Sequence, residues 1–133
     1  MKELSIDAKK ENLDTVMDFI CSVLEEGGCP IKLQTSICLS VEELFVNVAH
    51  YAYQKEAGKV TIRIEVNYKI TIEFEDEGIP FNPLEKEDPD INAAAKDREI
   101  GGMGIFMVKQ IMDSVEYKRE SGKNIVVMSK AVS

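Results

Sequence analysis

Residues 60–76 have the sequence VTIRIEVNYKITIEFED. Apolar and polar residues alternate over residues 60–66 and again over residues 70–74, which is typical of strands with one buried face. Asn67 and Tyr68 stand between the two runs, and asparagine is common in the short loops of hairpins. The stretch therefore predicts a β-hairpin with one apolar face.

Three other stretches have the periodicity of amphipathic helices. Gly27 and Gly28 end the first of them, and Pro30 suits the opening of the second. The three predicted helices cover residues 13–24, residues 30 to about 53, and residues 105–112.

Short alternating runs at residues 4–8, 115–117 and 125–128 predict three more strands, the last two turning at residues 121–124. The predicted order is a strand, two helices, two strands, a polar stretch, a helix and two strands. This order favours an α/β fold, a two-layer sandwich in which a mixed sheet carries helices on one face.

Composition limits the classes of function. At 133 residues we expect a single domain over residues 1–133. The net charge of −8 argues against a general nucleic-acid surface. No apolar run is long enough for a membrane span, and no signal peptide opens the chain. The three cysteines lack the spacing of a zinc site, so reduced thiols in a cytoplasm are expected.

Two polar residues of the second predicted helix can carry chemistry. Glu43 and Asn47 are four residues apart and therefore share a helix face beside the apolar one. An amide oxygen can bind Mg²⁺, and a carboxylate can accept a proton from an attacking hydroxyl. The alternative is a solvated helix face without a function.

The residues after the hairpin allow a second interpretation as well. Asp76 ends an apolar strand and could accept a hydrogen bond from the amine of adenine, while Gly78 would let the backbone approach the base. The alternative is a tight turn, in which aspartate and glycine are common for backbone reasons.

A run of glycines opens the last predicted helix. Backbone N–H groups at a helix start bind anions, and glycines allow a phosphate to approach closely. A hinge or a plain helix entry is the alternative for residues 101–104. The preceding polar residues 82–99, with their prolines and acids, are typical of a functional lid or a disordered loop.

In this order and spacing the three motifs resemble the nucleotide site of the GHKL ATP-binding superfamily. The motifs are Glu43 with Asn47, Asp76-Glu77-Gly78-Ile79-Pro80, and Gly101-Gly102-Met103-Gly104. Within that superfamily, the chain is most similar to the anti-sigma-factor serine kinases. The resemblance covers roughly residues 4–130.

The resemblance implies a role for each motif. Glu43 corresponds to the general base, Asn47 to the Mg²⁺ ligand, and Asp76 to the residue that recognises adenine. Arg98 is a second catalytic candidate, at the γ-phosphate, and residues 82–99 correspond to the ATP lid. The implied nucleotide-binding set is Asn47, Asp76, Gly78, Pro80, Gly101, Gly102, Met103 and Gly104.

Three positions depart from the family pattern. Many relatives carry a histidine four residues after the asparagine, where this chain has Tyr51, and His50 stands one position earlier. We expect His50 to be a partly buried or exposed helix residue rather than a nucleotide contact. Arg98 stands farther from the glycines than in several kinases, since Ile100 intervenes. Residues 125–128 lack the threonine that some members use near adenine.

The resemblance therefore implies a cytoplasmic serine protein kinase that uses ATP and Mg²⁺. Its implied partners are a sigma factor and an anti-anti-sigma-type acceptor protein, with no nucleic acid and no membrane. It also allows a homodimer. The alternative is a nucleotide-gated protein-binding module without phosphotransfer, which the displaced Arg98 favours. The catalytic domain of a histidine kinase is a weaker third interpretation.

Overall fold

The computed structural model describes residues 1–52, 58–85 and 102–132, which form a five-stranded sheet and three α-helices. The strands are β1 (Lys2–Asp7), β2 (Lys59–Val66), β3 (Lys69–Asp76), β4 (Ser114–Glu120) and β5 (Lys123–Ala131). The helices are α1 (Leu13–Glu26), α2 (Ile31–Asn47) and α3 (Gly102–Ile111). Short 3-10 turns cover Lys10–Asn12 and Pro83–Glu85, and a π-helical segment, Val48–Ala52, follows α2 directly. The predicted α/β fold is confirmed.

The hairpin predicted from residues 60–76 forms as β2 and β3. The two strands pair antiparallel, with Val66 opposite Ile70 at the closed end. The side-chain oxygen of Asn67 accepts a hydrogen bond from the backbone N–H of Lys69 at 3.0 Å, which fixes the turn. The prediction of this hairpin and of its turn is therefore confirmed.

Every strand pairing within the described residues is antiparallel, where we expected a mixed sheet. The strand order is β1-β2-β3-β5-β4. The connection from β3 through α3 to β4 does cross over, so β3 and β4 run parallel. However, β5 lies between them and pairs antiparallel with both. The order of elements in the sequence indicates that a helix connects β3 to β4. It does not indicate that β5 inserts between these two strands.

One face of the sheet is buried under the helices, and the other carries charge. Alternate residues of β2 and β3 are fully buried: Val60, Ile62, Ile64, Ile70, Ile72 and Phe74. Each such side chain contributes about 1.5–3 kcal/mol by leaving water. On the opposite face Arg63 donates hydrogen bonds to Glu3 on one neighbouring strand and to Glu73 on the other, at 2.8 and 2.7 Å. The helices therefore form one layer and the sheet the other.

The predicted helix boundaries are confirmed at the turn between α1 and α2. Gly28 has a positive φ of 73°, which favours glycine, and Pro30 immediately precedes α2. The second helix was expected to reach about residue 53, and helical structure continues to Ala52, with residues 53–57 outside the described part. The longest helix, α2, has 17 residues, and none in the described chain is long and apolar enough to cross a membrane.

Candidate nucleotide site

The Asn47 side chain is buried at the end of α2 and is held in one orientation. Its Nδ2 donates to the backbone oxygen of Glu43 at 2.7 Å and to the Glu43 carboxylate at 2.8 Å. Because both partners are acceptors, the amide nitrogen must face them, and Oδ1 must point the other way. Glu43 therefore sets the direction of the amide oxygen.

Asn47 Oδ1, which points away from Glu43, has no hydrogen-bond partner in the described part of the chain. Asn47 is 1% exposed, and among the described residues its Oδ1 is the one buried side-chain polar atom without a hydrogen-bond partner. Leaving a buried acceptor unsatisfied costs about 1–3 kcal/mol, so such an atom indicates a missing partner. A hard cation such as Mg²⁺ takes oxygen ligands of this kind. The residues present therefore fit the metal implied by the resemblance.

The segment after Asn47 joins α2 to the loop after β3. The π-helix Val48–Ala52 begins at the next residue, and π-segments within helices are frequent at functional sites. At its end the backbone oxygen of Ala52 accepts a hydrogen bond from Ile79 at 3.0 Å. A β-carbon on Gly78 would collide with the Ala52 backbone. This close approach requires glycine, whereas the predicted contact of Gly78 with a base stays a prediction.

Asp76 is buried at the end of β3, close to that loop. Its Oδ1 accepts hydrogen bonds from the Gly78 backbone and from Asn124 Nδ2, both at 2.9 Å. Burial raises the pKa of Asp76, while those two hydrogen bonds and the charge of Arg119 act in the opposite direction. Because both bonds reach Oδ1, Oδ2 is the oxygen that could accept a hydrogen bond from a ligand.

Asn124 is a site residue that our sequence reasoning missed. It is buried opposite Asp76 on the neighbouring strand β5. Its Nδ2 also donates to the Ile79 carbonyl at 2.7 Å, and its Oδ1 accepts from Tyr117 Oη at 2.6 Å and from the Phe81 backbone at 3.2 Å. Asn124 therefore connects the aspartate, the loop after it and strand β4. The sequence does show an asparagine just after the turn at residues 121–122, which could have marked Asn124 as a candidate. Its hydrogen-bond partners, however, follow only from the pairing of β5 with β3.

A pocket brings Asn47 and Asp76 together. Its polar lining consists of Asn47, Asp76 and Asn124, and its apolar lining is Leu44, Val48, Phe74, Phe81, Pro83 and Val126. Phe81 stacks on Tyr51, with ring centroids 5.0 Å apart. Apolar walls with a few fixed polar groups are the usual lining of a small-molecule site, but the cavity volume here is only about 10 Å³, which is room for about one water molecule. Two of the three sequence motifs thus meet in one place.

The third motif approaches the first. A β-carbon on Gly104 would overlap the Glu43 carboxyl group, so the first turn of α3 lies directly on Glu43. Gly102 and Met103 are the first two residues of α3. Gly101 and Arg98 lie outside the described residues, as do residues 86–99 of the predicted lid. The glycines were expected to precede this helix, but Gly102, Met103 and Gly104 form its first turn, and their contact with a phosphate stays a prediction.

Two other predicted positions lie at the edge of this arrangement. Pro80 is exposed and is absent from the pocket lining. His50 is exposed too, in agreement with one of the two placements expected for it, and its ring packs against the edge of Tyr51. The residues that the structure brings together are therefore Glu43, Asn47, Asp76, Gly78 and Gly104.

Comparison with known proteins shows which family the chain belongs to. Residues 6–130 match the family described as the histidine kinase-like ATPase domain. The chain belongs to this family. It is 28% identical over 129 residues to an anti-sigma F factor of Clostridium acetobutylicum, covering 96% of this chain and 90% of that protein. It is 23% identical over 136 residues to the serine-protein kinase RsbW of Listeria monocytogenes, covering 98% of this chain and 86% of the kinase.

Solved structures of the histidine kinase-like ATPase fold support the architecture. The structure of the RsbU and RsbW domains of a Mycobacterium tuberculosis protein matches 99% of this chain with a TM-score of 0.68 at 13% identity, and this chain covers 32% of it. A blue-light activated histidine kinase of Erythrobacter litoralis matches 91% with a TM-score of 0.61 at 17% identity, and 42% of that kinase is covered. At these identities the likeness concerns the fold alone.

Proposed function

We propose that this chain binds ATP with Mg²⁺ in the pocket that Asn47 and Asp76 share, and transfers the γ-phosphoryl group to a serine of a partner protein. The observation that carries the proposal is the buried, unpaired Oδ1 of Asn47, which lines the same pocket as Asp76. The relatives named anti-sigma F factor and serine-protein kinase RsbW support a protein as the substrate. In this proposal the chain acts in the cytoplasm and controls a sigma factor by contact, and the phosphorylated protein is the antagonist.

Each end of the pocket has a different task in nucleotide binding. Asp76 accepts a hydrogen bond from the exocyclic amine of adenine, and the apolar walls of the cavity, which has a volume of about 10 Å³, must move apart to admit the base. Asn47 Oδ1 is the oxygen that the chain offers to Mg²⁺, which when bound neutralises charge on the phosphates. The opening N–H groups of α3, from Gly102 to Gly104, are suited to hold a phosphate oxygen.

Glu43 is the proposed general base for the transfer. Its Oε1 accepts the hydrogen bond from Asn47, which leaves Oε2 to take the proton of the attacking serine hydroxyl. The same hydrogen bond couples the base to the residue that carries the proposed metal ligand. Arg98 remains the proposed partner of the γ-phosphate, as the resemblance implies.

One contact favours the rival function, a nucleotide-gated binding module without phosphotransfer. The first turn of α3 packs against the Glu43 carboxyl group at Gly104, so a substrate serine must reach an atom that this turn covers. A module needs the nucleotide to change the surface around α3, but it does not need access to Glu43. The two functions therefore differ in what Glu43 does.

The experiment that separates them is phosphate incorporation from radiolabelled ATP into a candidate anti-anti-sigma protein of the same organism. Glu43→Gln keeps the size of the side chain and an acceptor for Asn47 but removes the base. We expect transfer to fall by about 10²–10⁴-fold, the usual range for general-base catalysis, while the affinity for ATP changes little. Glu42→Gln, at the exposed neighbouring position, is the matched control and should transfer as the wild type does.

Two results would count against parts of this proposal. Equal transfer by the wild type and Glu43→Gln would remove Glu43 from the mechanism. Tight ATP binding by both proteins, with no transfer by either to an acceptor that forms a complex with the chain, would favour the binding module.

A further inference from the structure

Two cysteine side chains meet between α1 and α2, away from the nucleotide pocket. The Sγ atoms of Cys21 and Cys38 lie 3.0 Å apart, and both residues are free thiols. This distance is about 1 Å longer than a disulfide bond. The two residues lie within helices α1 and α2, which pack against each other, so the sulfurs are already held near each other.

Both thiols can be reached from solvent. They are partly exposed and line a surface groove, together with Met17, Gln34 and Thr35. The third cysteine, Cys29, differs because it is buried in the hydrophobic core, where burial raises its pKa. The chain therefore contains an accessible pair of thiols and a shielded single thiol for comparison.

We propose that Cys21 and Cys38 form a reversible redox-modification site, at which a hydroperoxide oxidises the pair to an intramolecular disulfide that joins α1 to α2. In a reducing compartment, disulfides are rare and those that form are usually transient or redox-sensing, which fits a pair that is reduced at rest. The site is independent of the proposed nucleotide function.

The two thiols affect each other's reactivity. Burial, reinforced by the neighbouring Cys21 thiol, raises the pKa of Cys38 to about 12. The thiolate is the nucleophile in cysteine oxidation. Either sulfur can attack the peroxide first, because the two thiols are in contact; when Cys21 attacks, Cys38 resolves the product.

The chemistry balances without another reactant. The Cys21 thiolate attacks the terminal oxygen of the hydroperoxide, an S–O bond forms and the O–O bond breaks, which gives a sulfenic acid. The leaving group is hydroxide when the oxidant is hydrogen peroxide. The Cys38 sulfur then attacks the Cys21 sulfur, the S–S bond forms and the S–O bond breaks. The departing hydroxide takes the Cys38 proton and becomes water. The two sulfurs lose two electrons, which reduce the peroxide, and a dithiol reverses the change.

The bridge would fix α2 near its middle. Glu43 and Asn47 lie on the same helix, five and nine residues after Cys38. A crosslink between α1 and α2 also restricts the unfolded chain, which stabilises the folded state when the native geometry accepts the bond. We therefore expect the oxidised chain to unfold at a higher temperature than the reduced chain.

The test uses the purified full chain, first reduced and then treated with hydrogen peroxide. The protein is unfolded in iodoacetamide, digested, and analysed by mass spectrometry for linked peptides. We expect a Cys21–Cys38 linked peptide that dithiothreitol removes, and an alkylated Cys29. Cys38→Ser should leave Cys21 as a sulfenic acid that dimedone traps, whereas Cys29→Ser should form the bridge as the wild type does.

Three results would overturn the proposal. The first is oxidation of Cys21 to a sulfinic acid with no linked peptide in the wild type. The second is a bridge that contains Cys29 or joins two chains. The third is a melting temperature that falls when the bridge forms, because a bond that distorts the fold is damage rather than a built site. The wild-type protein alone yields all three readouts, so the test does not depend on whether a variant folds.

Discussion

The two ends of the candidate pocket are built in opposite ways. At one end, Asp76 is held by hydrogen bonds from Gly78 and Asn124, and Asn124 uses all of its polar atoms on protein partners. At the other end, Asn47 is also buried and held in position, but its Oδ1 has no partner. The first end is held in place by hydrogen bonds within the protein, whereas at the second end one buried oxygen lacks a partner among the residues that the structure describes.

The difference indicates how each end meets a ligand. A carboxylate fixed by its neighbours presents one oxygen in a set direction, which suits the recognition of a rigid base. An amide oxygen that the protein leaves unsatisfied is suited to a cation, because oxygen ligands replace the water that the ion loses. Substitutions can change each end of the pocket separately. We expect those at Asn47 to act mainly on nucleotide binding and those at the Asp76 end to act mainly on stability.

The largest effect is expected from Asn47→Ala. This change removes the unpaired oxygen and the group that Glu43 holds. We expect nucleotide affinity in the presence of Mg²⁺ to fall by about 100-fold, at the upper end of the range for disturbing a metal site. Titration calorimetry with and without EDTA measures this effect. Asn67→Ala, at an exposed hairpin position, is the control and should bind normally. A variant that keeps the wild-type response to Mg²⁺ would show that Asn47 Oδ1 is not a ligand.

Asn124→Ala should act mainly on the fold. It removes four hydrogen bonds at the Asp76 end: one of the two that Asp76 Oδ1 accepts, and those that Asn124 makes with the Ile79 carbonyl, the Phe81 N–H and Tyr117 Oη. The free energy of unfolding should fall by about 1–3 kcal/mol, which is the cost of leaving a buried polar group unsatisfied. Urea denaturation measures the change, with Gln110→Ala, at an exposed position of α3, as the control. A loss no greater than that of the control would mean that Asn124 does not hold this end together.

A smaller effect is expected in the pH dependence of Asp76→Asn. Burial raises the pKa of Asp76 above its ordinary value of 3.8, so the ionised form costs stability in the folded state. This cost is full above the raised pKa and is relieved as the pH falls through it toward 3.8. Asp76→Asn keeps an oxygen for Gly78 and Asn124 but has no charge, so its stability relative to the wild type should be highest at neutral pH and decline on acidification.

Urea denaturation at several pH values measures this difference. Asp18→Asn, on the exposed side of α1, is the matched control and should not show the same trend. If the advantage of Asp76→Asn grew as the pH fell, Asp76 would be stabilised in its ionised form, and the direction given for its pKa would be wrong.

Sequence patterns correctly predicted those parts of the structure that depend on residues close to each other in the sequence. The hairpin at residues 60–76 and the helix end at Gly28 follow from alternation and from the conformational preference of glycine. Glu43 and Asn47 could be paired in advance because helical geometry alone places residues four apart on one face.

The remaining features depend on contacts between distant parts of the chain. Asn124 meets Asp76 because β5 inserts beside β3, and no local pattern encodes this pairing. The same insertion makes the sheet antiparallel rather than mixed. Likewise, Gly78 was interpreted through a ligand, whereas its close neighbour is Ala52 at the end of the π-helix. Long-range register, rather than propensity, determined these outcomes.

The central claim is that Asp76 and Asn47 form one adenine-nucleotide site. Titration of the purified chain with ATP and with GTP, both in Mg²⁺, tests it most directly. Adenine presents an amine where guanine presents a carbonyl oxygen, which a carboxylate repels. We predict saturable ATP binding at a single site, with GTP bound at least about 10-fold more weakly, since a charged hydrogen bond contributes about 1.5–3 kcal/mol. No ATP binding, or equal affinity for ATP and GTP, would contradict the account.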